Sequence, residues 1–375
     1  MSPPPPTSPA PDGPPGAPRV PHHDRMFKVA CGTPEGVLAV LRLAGVPEAF
    51  VAAIDPGSLR LDTPDTVSDE LGELRRDLVF SCTLRDPGSA GSRSVHESRP
   101  PEGLARRALL CLIVEHERDA DADMPRRSCG YVLDKLLAWR REHPLPALLP
   151  VVLPVVVHQG ARPWRGPLAL RDQLDADPGT LDLLAPHLVG FRLTLLDLGA
   201  RSPAQVASLP APPMVRVAFG VMRTVVVPGL TPEQVLDAFR FELAAGIRAL
   251  VAEPGGRARF AVVVRYTLFR VQGLDRFALR EVVAVSAGLP AAEVVMSTAE
   301  QLIAEGIEKG SRVARGLLRR QLERAFGPLS PAHAARIAAG TLEELEAWGA
   351  RAEASARIED VFLRPGPDAA GDTSV

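Results

Sequence analysis

The chain has 375 residues, 46% hydrophobic and 23% charged, with a formal net charge of -2. That balance excludes a disordered or fibrous protein, leaves apolar content for one substantial domain plus one or two smaller ones, and removes any global electrostatic pull toward nucleic acid. Any such contact has to come from local basic clusters, of which Arg75-Arg76, Arg106-Arg107, Arg126-Arg127 and Arg140-Arg141 are the candidates, each weighed against an ordinary solvated helix face.

Residues 1–21 are rich in Pro, Ser, Gly and Ala with no periodic apolar face, which predicts a disordered tail. Order begins near His22. Thr33-Pro34-Glu35 combines an N-cap residue, proline at the first helical position and an acid in the first turn, opening a helix with Val37, Leu38, Leu41 and Ala44 inward. Leu59 to Leu61 reads as a first strand, Asp77 to Leu84 as a second and Ala108 to Val114 as a third. The Pro-, Gly- and Ser-containing residues 85–103 between the last two form a long loop. A helix from Pro125 to Glu142 carries Tyr131, Leu136, Leu137 and Trp139. The strand Leu149 to Val157 follows, interrupted by Pro150 and Pro154 and too short for a membrane helix.

Residues 165–290 read as mostly helical, with a strand at Leu193 to Leu198 and a capping box at Thr231-Pro232-Glu233-Gln234; residues 257–273 fit neither period cleanly. Ser297-Thr298-Ala299-Glu300 opens a helix toward Lys309. Leu318, Leu322 and Phe326 share a helical face, Ser330-Pro331 starts a helix, and Thr341-Leu342-Glu343-Glu344 caps another bearing Leu345 and Trp348. The predicted organisation is a tail at 1–21, a first domain at 22–200, a mainly helical extension at 201–310, a helical module at 311–363 and a tail at 364–375.

The most informative local feature is Leu109-Leu-Cys-Leu-Ile-Val114 running into Glu115-His116-Glu117, because carboxylates leaving a buried strand are costly unless a metal or a base compensates them. Asp77, opening the preceding strand, would be their neighbour. This order of acids resembles the PD-(D/E)XK nuclease superfamily. Within it, His23-Asp24-Arg25-Met26-Phe27-Lys28, Asp69-Glu70-Leu71, Arg75-Arg76-Asp77-Leu78, Val114-Glu115-His116, Tyr131, His158-Gln159-Gly160 and Arg162-Pro163-Trp164 together resemble the recombination-promoting nuclease or YhgA-like transposase family. The resemblance is good over residues 22–165 and weaker to 310, and residues 311–363 resemble a small helical domain that often follows such nucleases.

The resemblance implies an α/β fold with an αβββαβ restriction-endonuclease-like core, a mixed sheet flanked by helices, followed by a helical module. It implies a cytoplasmic, metal-dependent DNA endonuclease tied to recombination or mobile elements. Asp77 and Glu115 would be carboxylate ligands of Mg²⁺, or of Mn²⁺, with the main-chain carbonyl of His116 as third ligand, since Mg²⁺ prefers hard oxygen donors. The rival reading of each acid is a salt-bridged strand terminus. Glu117 departs from the lysine or glutamine expected two residues after the acid; it is assigned to positioning or deprotonating the attacking water. That departure keeps open an alternative, a cleavage-inactive DNA- or protein-binding descendant. His23, Asp24, Lys28 and Tyr131 are candidate cleft-edge residues, against the readings of a helix-start ion pair and a core aromatic. His116 and His158 read as core or hinge histidines.

Cys31, Cys82, Cys111 and Cys129 lack metal-ligand spacing and read as small buried hydrophobes in a reducing cytosol. No phosphate loop or serine-hydrolase elbow is present, which argues against a nucleotide cofactor, and no secretory or membrane segment is evident. DNA is the expected partner. A homodimer through the C-terminal helices is also expected, because Leu318, Leu322, Phe326, Leu345 and Trp348 offer more apolar surface than a small module readily buries.

Overall fold

The computed structural model describes residues 21–62, 78–85, 106–115, 121–144 and 148–363; for residues 21–24, 62, 106 and 111–115 it describes the backbone alone. The elements run α1 (Pro21–Cys31), α2 (Pro34–Leu43), α3 (Glu48–Ala53), β1 (Arg60–Asp62), β2 (Leu78–Leu84), β3 (Arg106–Glu115), α4 (Met124–Glu142), β4 (Val151–His158), α5 (Pro178–Leu184) and β5 (Thr194–Asp197). Helices follow: α6 (Pro203–Ala207), α7 (Pro213–Val225), α8 (Pro232–Asp237), α9 (Ala244–Ala252), α10 (Gly256–Arg270), α11 (Arg276–Ala287), α12 (Leu289–Phe326), α13 (Pro331–Ala339), α14 (Leu342–Ala352) and α15 (Ile358–Val361). Two compact units divide between Met296 and Ser297, within α12.

In the first unit one mixed five-stranded sheet has the order β1-β2-β3-β4-β5. The first three strands are antiparallel; β4 runs parallel to β3, and β5 parallel to β4. Two-residue alternation divides the sheet between two cores. Leu78, Phe80, Cys82, Leu110, Val155, Val157 and Leu196 face a thick helical layer, with Met26 and Phe27 of α1, Phe219 of α7 and Phe260 of α10. Val79, Val156 and Leu193 face α4, where Met124 and Tyr131 lie. Burial of each large side chain contributes roughly 1.5–3 kcal/mol, so the helical layer supplies most of the stabilisation. Pro154 is tolerated inside β4 because it pairs with Cys111 on one side, while pairing with β5 begins only at Val155.

The expected helix starts hold. Thr33 Oγ1 accepts from Gly36 N at 3.1 Å, and Thr231 and Gln234 form a reciprocal capping box. Residues 257–273 are largely one helix, α10. Its apolar period is weak because the buried residues Phe260, Val262, Val263, Val264, Tyr266 and Thr267 spread over more than half of its circumference. The expected boundary at residue 200 is not a boundary of packing, since α7, α9, α10 and α11 share their core with α1 and the sheet.

The second unit has its own core of Leu318, Leu322, Ile337, Leu345, Trp348, Ala352, Val361 and Phe362. Two expectations are corrected here. Ser297 does not start a helix: α12 is continuous over 38 residues, with no proline between Ala291 and Phe326 to stop it. Leu318, Leu322, Leu345 and Trp348 are at most 5% exposed, so the module buries them itself and they are not surplus surface for a dimer.

Candidate functional site

One end of the sheet collects the start of β2 and the ends of β3, β4 and β5. Leu78, the first residue of β2, is opposite Leu112. Glu115, the last of β3, is in register with His158, the last of β4, and His158 with Asp197, the last of β5. Asp77, His116 and Glu117 lie outside the described residues, as do the side chains of Glu115, His23 and Asp24.

The described part of this strand end is a tied polar cluster. His158 is 1% exposed, and its Nε2 lies 3.0 Å from the Arg162 carbonyl oxygen, to which it donates, while Nδ1 is buried without a partner among the described residues. Asp197 accepts from Trp164 N at 2.8 Å and from Ala200 N at 3.1 Å. Trp164 packs edge-on against His158, with ring centroids 5.2 Å apart. From α7, Arg223 donates through Nε to Arg201 O at 2.7 Å and more weakly to Ala161 O at 3.4 Å. Burial holds its guanidinium below the usual arginine range, opposed by the Asp197 carboxylate. Gly199 permits the two loops to meet: a Cβ there would lie 2.2 Å from Arg162 O and 3.0 Å from Gly160 O.

The His-Gln-Gly and Arg-Pro-Trp elements are thereby a loop clamped across the ends of β4 and β5. Asp197, Gly199 and Arg223 were not singled out from the sequence. Asp197 carried a usable signal, an acid closing the apolar run Leu193 to Leu196, the same pattern that marks Glu115. Arg223 carried none, being one arginine among many.

Tyr131 is corrected from cleft edge to core: it is 2% exposed among Met124, Val79 and Val156, with Lys135 Nζ 5.3 Å from its ring. Lys28 is exposed on α1, which packs into the helical layer. Arg126 and Arg127 are engaged by Asp123 and Asp121. Arg107 differs. It forms no ion pair among the described residues and sits 5.4 Å from the Trp139 ring, lining a cleft of about 480 Å³ with Ser81, Thr83, Lys135, Trp139 and Glu142. This cleft lies against α4, near the start of β3 and away from Glu115.

Residues 102–236 match the family profile described as "Putative transposase, YhgA-like". That segment, about a third of the chain, is similar to the YhgA-like family. It runs from just before β3 into α8, so it contains Glu115, Glu117, the clamped loop, Asp197 and Arg223, while Asp77 and α1 lie upstream. No curated protein and no solved structure matches the chain. Among the described residues no helix is long and apolar enough to cross a membrane, and no group of three or more His, Cys, Asp or Glu is placed to hold a metal ion.

Proposed function

We propose that this chain is a transposase-like, metal-dependent DNA endonuclease, cytoplasmic and acting in recombination or mobile-element processes, with a PD-(D/E)XK core. The observation that carries the reading is the register at the strand end. Glu115 closes β3 beside His158 and Asp197, and Asp77 immediately precedes the first residue of β2 at the same end. The YhgA-like match over residues 102–236 supports it. The carboxylates of Asp77 and Glu115 with the main-chain carbonyl of His116 would make a hard-oxygen donor set suited to Mg²⁺ or Mn²⁺. When bound, such an ion lowers the pKa of water and neutralises charge building on the scissile phosphate.

The chain's own residues do the rest. Glu117 orients the attacking water or takes its proton. His158, held by the Arg162 carbonyl, keeps a buried ring nitrogen on the strand next to the one Glu115 closes. Asp197 and Arg223 clamp the 159–164 loop so that the strand ends keep their spacing. Arg107 and Lys135, free of carboxylate partners among the described residues, supply positive charge for the DNA backbone.

The test is cleavage of supercoiled plasmid by purified protein with Mg²⁺, Mn²⁺ or EDTA, beside Asp77→Ala, Glu115→Ala and Glu117→Gln. Metal-dependent nicking abolished in the first two supports the assignment, and loss in Glu117→Gln supports the water-handling role. Folded parent protein that binds DNA without cutting it would favour the inactive descendant, for which Glu117 is the sequence argument.

A further inference from the structure

Helix α12 leaves one side uncovered in the second unit. Ile303, Ile307, Val313 and Leu317 are 42%, 58%, 62% and 56% exposed. A Cβ at Gly306 or Gly310 would meet nothing within 4 Å. Ile303, Ile307, Gly310, Ala314 and Leu317 recur at alternating spacings of four and three, the pattern of a coiled-coil seam. At 3.6 residues per turn they fall within about 80° of the helix circumference. Leu318 and Leu322, which enter the module's own core, point about 80° away from the centre of that stripe. The stripe borders the face the module uses to fold, against which Ala314 packs, but Ile303, Ile307 and Leu317 stay exposed beside it.

Its layout is self-complementary. Gly310 is its midpoint: Ile303 and Leu317 are equidistant from it. Net charge reverses about the same point. Glu300, Glu305 and Glu308 with Lys309 precede Gly310, while Arg312, Arg315, Arg319 and Arg320 follow it, Arg312 and Arg315 lying 3.8 Å from Glu308 within the chain. An antiparallel second copy would set Ile303 against Leu317 and the net acidic half of one helix beside the basic half of the other. A parallel copy would set like charge beside like charge. The helix dipoles also favour the antiparallel arrangement. Gly310, on the two-fold axis, would allow the helices to approach closely there.

We infer that this face of α12 is a homodimer interface, formed by antiparallel pairing of two copies about Gly310. The inference is independent of the nuclease reading. The seam is about 21 Å long, so association is modest and reversible.

Sedimentation velocity of the full chain at about 50 µM should show a reversible monomer–dimer equilibrium. Ile307→Glu with Leu317→Glu should weaken it roughly 100-fold, with circular dichroism and melting unchanged because both side chains are exposed in the single chain. Ile303→Cys and Leu317→Cys proteins, mixed and oxidised, should cross-link 303 to 317 across chains. A monomer at that concentration, an unaffected double variant, or cross-links dominated by 303 to 303 and 317 to 317 would each overturn the proposal. Cross-link mapping reads the geometry even where the glutamate variant folds poorly.

Discussion

Gly199→Ala tests the clamp at the strand end most directly. The methyl group would sit 2.2 Å from Arg162 O and 2.9 Å from Arg162 C, both main-chain atoms that no rotamer change can remove. Restoring ordinary contact at about 3.2 Å requires the 159–164 loop to retreat by roughly 1 Å, an overpacking cost of about 1–3 kcal/mol. The same retreat pulls Arg162 O from His158 Nε2 and strains the Trp164 N to Asp197 bond, two part-buried interactions worth about 1 kcal/mol each. A total loss of about 3–5 kcal/mol is expected, read as a lower urea midpoint with unchanged slope. Plasmid cleavage should fall further than the fraction of folded protein does. An alanine variant with the parent's midpoint would refute the clamp, and one with a lowered midpoint but parental cleavage by its folded fraction would refute the link between clamp and site.

Burial raises the pKa of Glu242, whose Oε2 has no partner among the described residues, so its folded-state pKa exceeds the unfolded one and its contribution to stability falls as pH rises through the carboxylate range. Glu242→Gln should therefore raise the urea midpoint at pH 7 and leave it nearly unchanged at pH 4; a lowered midpoint at pH 7 would contradict this. The Cys82 thiol is pushed up to about 11 by burial. Iodoacetamide at pH 8.5 should spare it in the native protein and label it in urea, as peptide mass mapping can establish. Trp348→Ala removes a ring that packs edge-on against Phe362 at 5.1 Å and lies over Gly340. Loss of about 3–5 kcal/mol should selectively release the 311–363 region to rapid hydrogen exchange.

Most strands and helices were legible because each rests on local signals: caps at Thr33, Thr231, Ser330 and Thr341, and high β propensity in β2. What failed was non-local. Helix α10 looked ambiguous because its surroundings bury it on most sides, and a buried helix has no polar face to reveal its period. The boundary drawn at residue 200 failed for a related reason: nothing in α7 or α10 announces that its partner is α1, far away in the chain. At the site, strand-terminal acids were readable from cost alone, whereas Arg223 acts by reaching two carbonyls from a distant helix, which leaves no sequence signature.

The shared core has a consequence for how this chain can be inherited and rearranged. The YhgA-like segment ends in α8, yet the sheet face lined by Leu110, Val155 and Leu196 is covered in part by Met26, Phe27 and Phe260, which lie outside that segment. Excised at 102 and 236, it would carry a bare apolar sheet face. A chimaera that transplants it between relatives should fold only when α1 and α10 travel with it. The stretch that sequence comparison treats as a module is half of a folding unit, and selection on its core must act on residues at both ends of the first 296 together.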